Sequence, residues 1–344
     1  MIWLKKLLRL MAVLPLCVLG VTGCAKNQPP APLPHLKLSK TFKVESYQGV
    51  EVHFNHPVKS LQWSWNGTTK KMNLAKGKKS VLIPVKLPQG KQFSLTIEKA
   101  SGPSTQPFKK STVLTGQTAP ALQVVTNPGI WQFNVSPEGP FTLQFSSPVA
   151  NRASVSQDIH FSPAISGTLN WTSATTANFV PDQPLNPTET VTMTLDGGVS
   201  GPHGAQGQYL DSTTIVRPFI TASNQKIVVH EQLPETLTLY QNGKVMLKTK
   251  CNTGVTGATT PTGTFYIHSK VVKTDMSGVD PDGEKYEVKN VPWVMGLFGN
   301  TAIHGYQRAK YGFPQSNGCV ELPIATAKKL YHMVDVGTPV VIEK

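Results

Sequence analysis

The chain has 344 residues, 39% hydrophobic and 15% charged, with a formal net charge of +14 at pH 7. That length provides for two or three domains, and beyond the N-terminal segment no apolar run is long enough to span a bilayer. Of four cysteines, Cys17 and Cys24 fall in the N-terminal segment, and the two that remain are not a disulfide framework for a body of this size.

Lys5, Lys6 and Arg9 precede an apolar core from Leu10 to Val21, which ends in Val21-Thr22-Gly23-Cys24. Basic, then short and apolar, then small: this order is an export signal rather than a spanning helix. The ending resembles the lipobox of bacterial lipoproteins. That resemblance implies cleavage before Cys24, lipidation of Cys24, and an extracytoplasmic body anchored to the membrane and facing the cell wall. An ordinary signal peptide cut nearby is the alternative. Residues 1–23 are then the signal, and residues 24–36, with "KNQPPAPLPH", a proline-rich tether that is extended and semi-rigid.

Residues 37–118 carry 14 lysines against three acids. Anionic lipid or an anionic wall polymer is the expected partner of such a module, a solvated lysine surface is the alternative, and export argues against nucleic acid. "VEVHFNHPV", "SLQWSWNG" and "QFSLTIEK" alternate apolar and polar, with turns at Asn66-Gly67 and Gln89-Gly90. Short strands at this spacing predict an immunoglobulin-like β-sandwich. His53 and His56 lie three apart and point to opposite faces of a strand, which makes them a poor metal pair.

Residues 121–220 read as a second β module, with strands in "GPFTLQFSSPV", "GTLNW", "TANFVPDQPL" and "TVTMTLDGGV". The pattern F-x-x-P-V occurs at Phe54–Val58 and again at Phe145–Val149. Together with the Asn-Trp and Phe-Val-Pro-x-x-Pro-Leu segments it resembles bacterial Ig-like domains of cell-surface proteins. Neither module shows a chemical site, so both are expected to be spacers or docking domains.

The third region, residues 225–344, opens with a hairpin, "TLTLYQNGKVMLKTK". Leu237 and Leu239 share a face, Asn242-Gly243 turns, and Val245 and Leu247 return. Near the end the period changes. Ile324, Ala327, Leu330 or Tyr331, and Val334 recur at helical spacing, with Pro323 at the start and Gly337 at the stop. "TPVVIEK" is a closing strand. Between them, His304 precedes Gly305, and Cys319 follows fifteen residues later behind Gly318. A thiol needs a base or a positive charge nearby to become a nucleophile, and glycine permits a tight turn whose amides converge. The helix after Pro323 adds a positive end close in sequence.

This region resembles the L,D-transpeptidase catalytic domain family, the YkuD-like fold. The resemblance is carried, in order, by "LYQNG", "NTG", "TPTGTF", "VPWVM", "IHG", "S-x-G-C-V" and "GTPVVI" over Lys226 to Ile342. It implies a β-rich catalytic domain with one or more short helices; behind the two expected Ig-like sandwich modules this makes a mainly β chain. It also implies Cys319 as nucleophile and His304 as general base. Ser316, Asn317 and Gly318 form the nucleophile turn, and the amides of Gly318 and Cys319 form an oxyanion hole. Trp293 and Met295 are expected to line the donor groove, or else simply to pack in the core, with Gly305, Tyr306 and Glu321 beside the site. The polar stretch "KTDMSGVDPDGEKYEV" is expected to be a lid.

The implied substrate is a peptidoglycan stem peptide. Cys319 attacks the third residue of a tetrapeptide donor, D-alanine leaves, and an amine acceptor forms a 3→3 cross-link in cell-wall biogenesis. With water as acceptor the same site is an L,D-carboxypeptidase. A non-catalytic wall-binding lipoprotein is the remaining alternative. No metal or organic cofactor is implied. Two positions depart from the family pattern: Asn317, where many members have His, and Glu321, where many have Arg or Asn. Glu321 is expected to pair with Arg308 or Lys310. Once Cys17 leaves and Cys24 is lipidated, Cys251 and Cys319 remain, either as free thiols or as a disulfide.

Overall fold

The computed structural model describes residues 31–45, 47–108 and 110–344. The signal, Cys24 and the first part of the tether lie outside the described residues. Among the described residues no helix is long and apolar enough to cross a membrane.

The first module contains β1 (Leu38–Glu45), β2 (Gly49–Trp65), β3 (Thr68–Ile83), β4 (Gln92–Ser101) and β5 (Thr112–Gln117). They form one five-stranded sheet in the order β1-β2-β4-β5, with β3 also on β2. This differs from the expected pair of sheets. "VEVHFNHPV" and "SLQWSWNG" are two halves of the single strand β2. Its buried side chains are Val50, Val52, Phe54 and Val58, then Leu61 and Trp63, so the parity changes along the strand. Register shifts around Val58 supply the odd residue. A bulge of this kind bends a strand and turns its inward face, so one long strand walls both halves of the core. Asn66 and Gly67 adopt φ of 48° and 77° in the turn between β2 and β3, as a two-residue hairpin loop requires. Leu36, at the end of the tether, is buried in this core.

The second module contains β6 (Val124–Asn127), β7 (Gln132–Val135), β8 (Phe141–Phe145), α1 (Arg152–Val155), β9 (Ile159–Ser162), β10 (Gly167–Trp171), β11 (Thr176–Pro181), β12 (Thr190–Asp196) and β13 (Thr214–Thr221). Two four-stranded sheets, β10-β11-β8-β6 and β7-β13-β12-β9, make a sandwich. Phe141 and Leu143 of β8, Ala177 of β11, Val191 and Met193 of β12 and Phe219 of β13 fill the space between them. Their alternation with exposed residues is the period-two pattern of half-buried strands.

The third region contains β14 (Gln225–His230), β15 (Thr236–Gln241), β16 (Lys244–Lys250), β17 (Gly263–Tyr266), β18 (Ser269–Val279), β19 (Lys285–Phe298), β20 (Thr301–Gly305), β21 (Val320–Leu322), α2 (Ile324–Met333) and β22 (Pro339–Glu343). One sheet has the order β16-β15-β14-β22-β17 and the other β18-β19-β20-β21. Leu237, Leu239, Ile303, Val320, Leu322, Ala327 and Leu330 meet in a core between them, with α2 packed on it. The β15–β16 turn has Asn242 at φ 49° and Gly243 at 76°. Val245, however, is 57% exposed. A register shift between Leu239 and Tyr240 places Leu247 opposite Leu239 and leaves Val245 outside.

Directly paired residues share a face of a sheet. On β20 and β21, Ile303 pairs with Val320 on the core side, and His304 pairs with Glu321 on the other. Gly305 returns to the core side against α2, where a Cβ would lie 3.1 Å from Ile324 Cα and 3.3 Å from Ala327 Cβ. Gly305→Val is expected to destabilise the domain by about 1–3 kcal/mol through overpacking. The midpoint of denaturant unfolding checks this.

Candidate active site

The face of the β18–β21 sheet turned away from the core carries a cavity of about 190 Å³. Its lining comes from three sources. Met276, Tyr286, Val288 and Val291 come from β18 and β19. His304, Tyr306 and Arg308 come from β20 and the chain after it. Gln315, Ser316, Asn317, Cys319 and Glu321 come from the segment leading into β21. A small apolar cluster of Val291, Val294 and Ala302 lies beneath, with Cys319, Met276 and Val288 packed on it.

The stretch expected to be a lid is the β18–β19 hairpin. It forms a wall of the cavity rather than a loop. Gly278 stands opposite Tyr286, and Met276 opposite Val288. A Cβ at Gly278 would lie 2.6 Å from the Tyr286 hydroxyl oxygen, so glycine is what lets the tyrosine ring cross its neighbour strand.

The Cys319 turn is held from within and from behind. Ser316 Oγ donates to the Cys319 carbonyl at 2.5 Å and accepts the Gly318 amide at 3.2 Å. Gly318 has φ of 104°, a conformation that side chains other than hydrogen rarely tolerate. Since Ser316 takes the Gly318 amide, the Cys319 amide is the one in this pair without a partner among the described residues. Behind the turn runs Asn252-Thr253-Gly254. Asn252 exchanges backbone hydrogen bonds with Glu321 at 3.0 and 2.8 Å, and the Thr253 carbonyl accepts the amides of Gln315 and Ser316 at 2.9 Å each. That segment is itself fixed by the buried Glu235, whose carboxylate accepts the Thr253 amide and hydroxyl at 2.7 Å each. Removing a buried acceptor strands its donors. Glu235→Ala is therefore expected to cost about 2–4 kcal/mol and to lower Cys319 reactivity, read by thermal unfolding and by alkylation rate.

His304 is buried. Its Nδ1 lies 3.2 Å from the Gly305 carbonyl. A carbonyl only accepts, so Nδ1 carries the proton and Nε2 keeps its lone pair. Burial holds the imidazole below its ordinary value, against the Gly305 hydrogen bond and the Glu321 charge, and the nearby Arg308 charge depresses it further. Cys319 Sγ donates weakly to the Asn300 carbonyl at 3.6 Å. Burial pushes this thiol up, a backbone hydrogen bond from Ala302 opposes that, and the Glu321 charge adds to the rise. The resting pair is thus a thiol and a neutral imidazole.

Glu321 pairs with Arg308 and not with Lys310. Arg308 Nε donates to Oε2 and Nη2 to Oε1, both at 2.8 Å, and Nη2 also reaches the Gln315 carbonyl at 2.9 Å. Asn252 Nδ2 adds a longer contact to Oε2 at 3.5 Å.

Three expected groove residues lie elsewhere. Met295 is fully buried, because it pairs with Ile303 and so shares its core side. Trp293 packs edge-on against Tyr331 of α2 at 5.4 Å, with Lys328 over its ring. Gly305 faces α2. Tyr306 does line the cavity, with Arg308 4.7 Å above its ring. The three residues of β21 and then Pro323 separate Cys319 from α2, whose start abuts Gly305 instead. Cys251 and Cys319 are both free thiols, and Cys251 is buried in the core. The sequence reading missed Met276, Tyr286, Val288, Val291 and Gln315. Alternation within "DMSGV" and "KYEV" was the available signal for Met276, Tyr286 and Val288.

Residues 224–342 match the family model of the L,D-transpeptidase catalytic domain (YkuD). A solved catalytic domain of an L,D-transpeptidase from E. faecium is 30% identical, over 34% of this chain and 95% of that one, with a TM-score of 0.32. The chain belongs to the L,D-transpeptidase catalytic domain family. Ahead of the L,D-transpeptidase domain, residues 116–216 match a bacterial Ig-like domain, Big_5. An L,D-transpeptidase from Mycobacterium smegmatis is 22% identical over 65% of this chain and 99% of that one, with a TM-score of 0.36. L,D-transpeptidase 3 from Mycobacterium tuberculosis, solved with a faropenem-derived adduct, is 20% identical over 65% and 98%, with a TM-score of 0.37. A search of curated proteins gives no match. The family match covers the Asn252-Thr253-Gly254 segment, the hairpin wall and the Cys319 turn alike. The Ig-like match runs from the end of β5 into the start of β13, so it covers most of the two-sheet sandwich and only the last two residues of the single-sheet module's final strand.

Proposed function

We propose that the L,D-transpeptidase domain joins peptidoglycan stem peptides through a Cys319 thioester. One observation carries this reading: Cys319 and a neutral His304 line the same cavity. Nε2 of His304 takes the thiol proton as Sγ bonds to the carbonyl carbon of the donor's third residue. The Cys319 amide faces the developing oxyanion. The carbonyl–nitrogen bond to D-alanine then breaks, and His304 returns its proton to the leaving amine. An acceptor amine attacks the thioester, loses its proton to His304, and forms a 3→3 amide while the thiol is restored.

Incubation with a disaccharide-tetrapeptide, followed by mass spectrometry, is expected to show loss of D-alanine and a cross-linked dimer. Loss of D-alanine without dimer would make the enzyme a carboxypeptidase. If neither product forms, the reading is overturned.

Export, lipid on Cys24 and anchorage to the cell membrane, facing the cell wall, complete the proposal. It rests on the N-terminal residue order. The lysine-rich first module, whose β3 presents Lys70, Lys71, Lys76, Lys78 and Lys79 to solvent, is read as the part that meets anionic lipid or wall polymer.

A further inference from the structure

We propose that Arg308 is the specificity residue that reads the free terminal carboxylate of the donor peptide, and that Glu321 is the positioning residue that aims it. This rests on the acyl-transfer reading above.

A guanidinium has five N–H donors in a rigid plane. Three are engaged, by the two oxygens of Glu321 and the carbonyl of Gln315. Nη1 has no partner among the described residues, and the side chain is 30% exposed at the cavity. Arg308 is also the one permanent cation among the lining residues, since His304 is held neutral by burial. The acid beside it is turned away: the Glu321 side chain is 6% exposed, and both its oxygens are covered. The cavity therefore offers an anion the open edge of a cation, although a carboxylate stands two residues from Cys319.

That edge is fixed in advance. Three hydrogen bonds and the Tyr306 ring hold the guanidinium, so little side-chain entropy remains to be lost on binding. A donor whose scissile carbonyl lies on Cys319 has a single residue beyond it. Its terminal carboxylate then enters the same small cavity. A longer donor would carry its carboxylate past the edge.

The test compares the tetrapeptide with its C-terminal carboxamide on the purified full chain, following release of D-alanine or D-alaninamide by mass spectrometry. The wild type is expected to prefer the acid about ten- to hundredfold in kcat/KM, mainly through KM, as a charge-assisted hydrogen bond would give. D-Alaninamide is the better leaving group, so chemistry alone favours the amide. The double variant Arg308→Gln/Glu321→Gln removes both charges together and leaves neither buried alone. It is expected to treat the two donors alike within about threefold, the spread context alone produces. Equal handling of both donors by the wild type would overturn the proposal while acyl transfer stands, and this comparison needs no variant to fold. Retained preference in a folded double variant would also overturn it. No turnover of either donor would overturn both the proposal and the reading beneath it.

Discussion

Cys319→Ala is expected to lower D-alanine release from a tetrapeptide donor by about 10⁴-fold or more, since loss of a covalent nucleophile removes the thioester route altogether. The fold has little stake in this side chain. Cys319 lies at the edge of a small satellite cluster, and its thiol meets only backbone groups of Asn300 and Ala302 among the described residues. The turn is held by Ser316 and by the Asn252-Thr253-Gly254 segment instead. The thermal unfolding midpoint is therefore expected to stay within a few degrees. Mass spectrometry of intact protein after substrate addition supplies the second readout: an added acyl mass on the wild type and none on the variant. Cys251 provides the internal control. It is fully buried, and desolvation pushes its thiol far above its ordinary range. A variant that retained turnover would move the chemistry away from this cavity.

His304→Gln is expected to cost about 10²–10⁴-fold, the usual range for loss of a general base. The pH dependence of the wild type is the sharper result. Burial raises the Cys319 thiol above its ordinary 9.0 and lowers the His304 imidazole below its ordinary 6.5. Both directions favour the neutral pair over thiolate and imidazolium. Iodoacetamide alkylation of Cys319 should then keep climbing through pH 9, with no plateau near pH 6. A preformed ion pair would give that plateau. The acid limb of turnover should fall below pH 6.5, because the neutral base persists there. Stability follows the same sign. As pH falls below 6.5 the unfolded chain takes the histidine proton first, so this contribution is complete above 6.5 and is lost through the lower folded value. A pH-independent alkylation rate between 6 and 9 would contradict the assignment.

The sequence revealed most where chemistry or period is local. The Asn-Gly turns, the helix behind Pro323 and the sandwich strands in "GPFTLQF" and "TVTMTLD" each follow from a few adjacent residues. His304 and Cys319 were legible because the family order fixes them, and the structure brings them to one cavity. What escaped was long-range. Val58 sits at a bulge that no short window shows, so one strand read as two. Met295 looks like a groove residue by its place before His304, yet cross-strand pairing with Ile303 sends it to the core. Tyr286 was hidden in a polar stretch, since only the pairing with Gly278 makes that stretch a wall. The Glu321 question depended on Arg308 thirteen residues away, and on which of two bases the chain would bring close.

The position of β22 has a consequence for how the domain comes into being. It lies between β14 and β17, parallel to the first strand of the domain and antiparallel to the third-region strand on its other side. An interior strand of this sheet is thus the last part of it to be made. Until Pro339–Glu343 arrive, β14 and β17 each lack their shared neighbour, and the core beneath α2 lacks Val340 and Ile342. Such closure between distant segments is slow compared with local hairpins. A nascent chain will carry two finished N-terminal modules while its catalytic domain is still open. Deletion of the β22 strand, Pro339–Glu343, is expected to leave the two N-terminal modules folded and the third-region sheet split between β14 and β17.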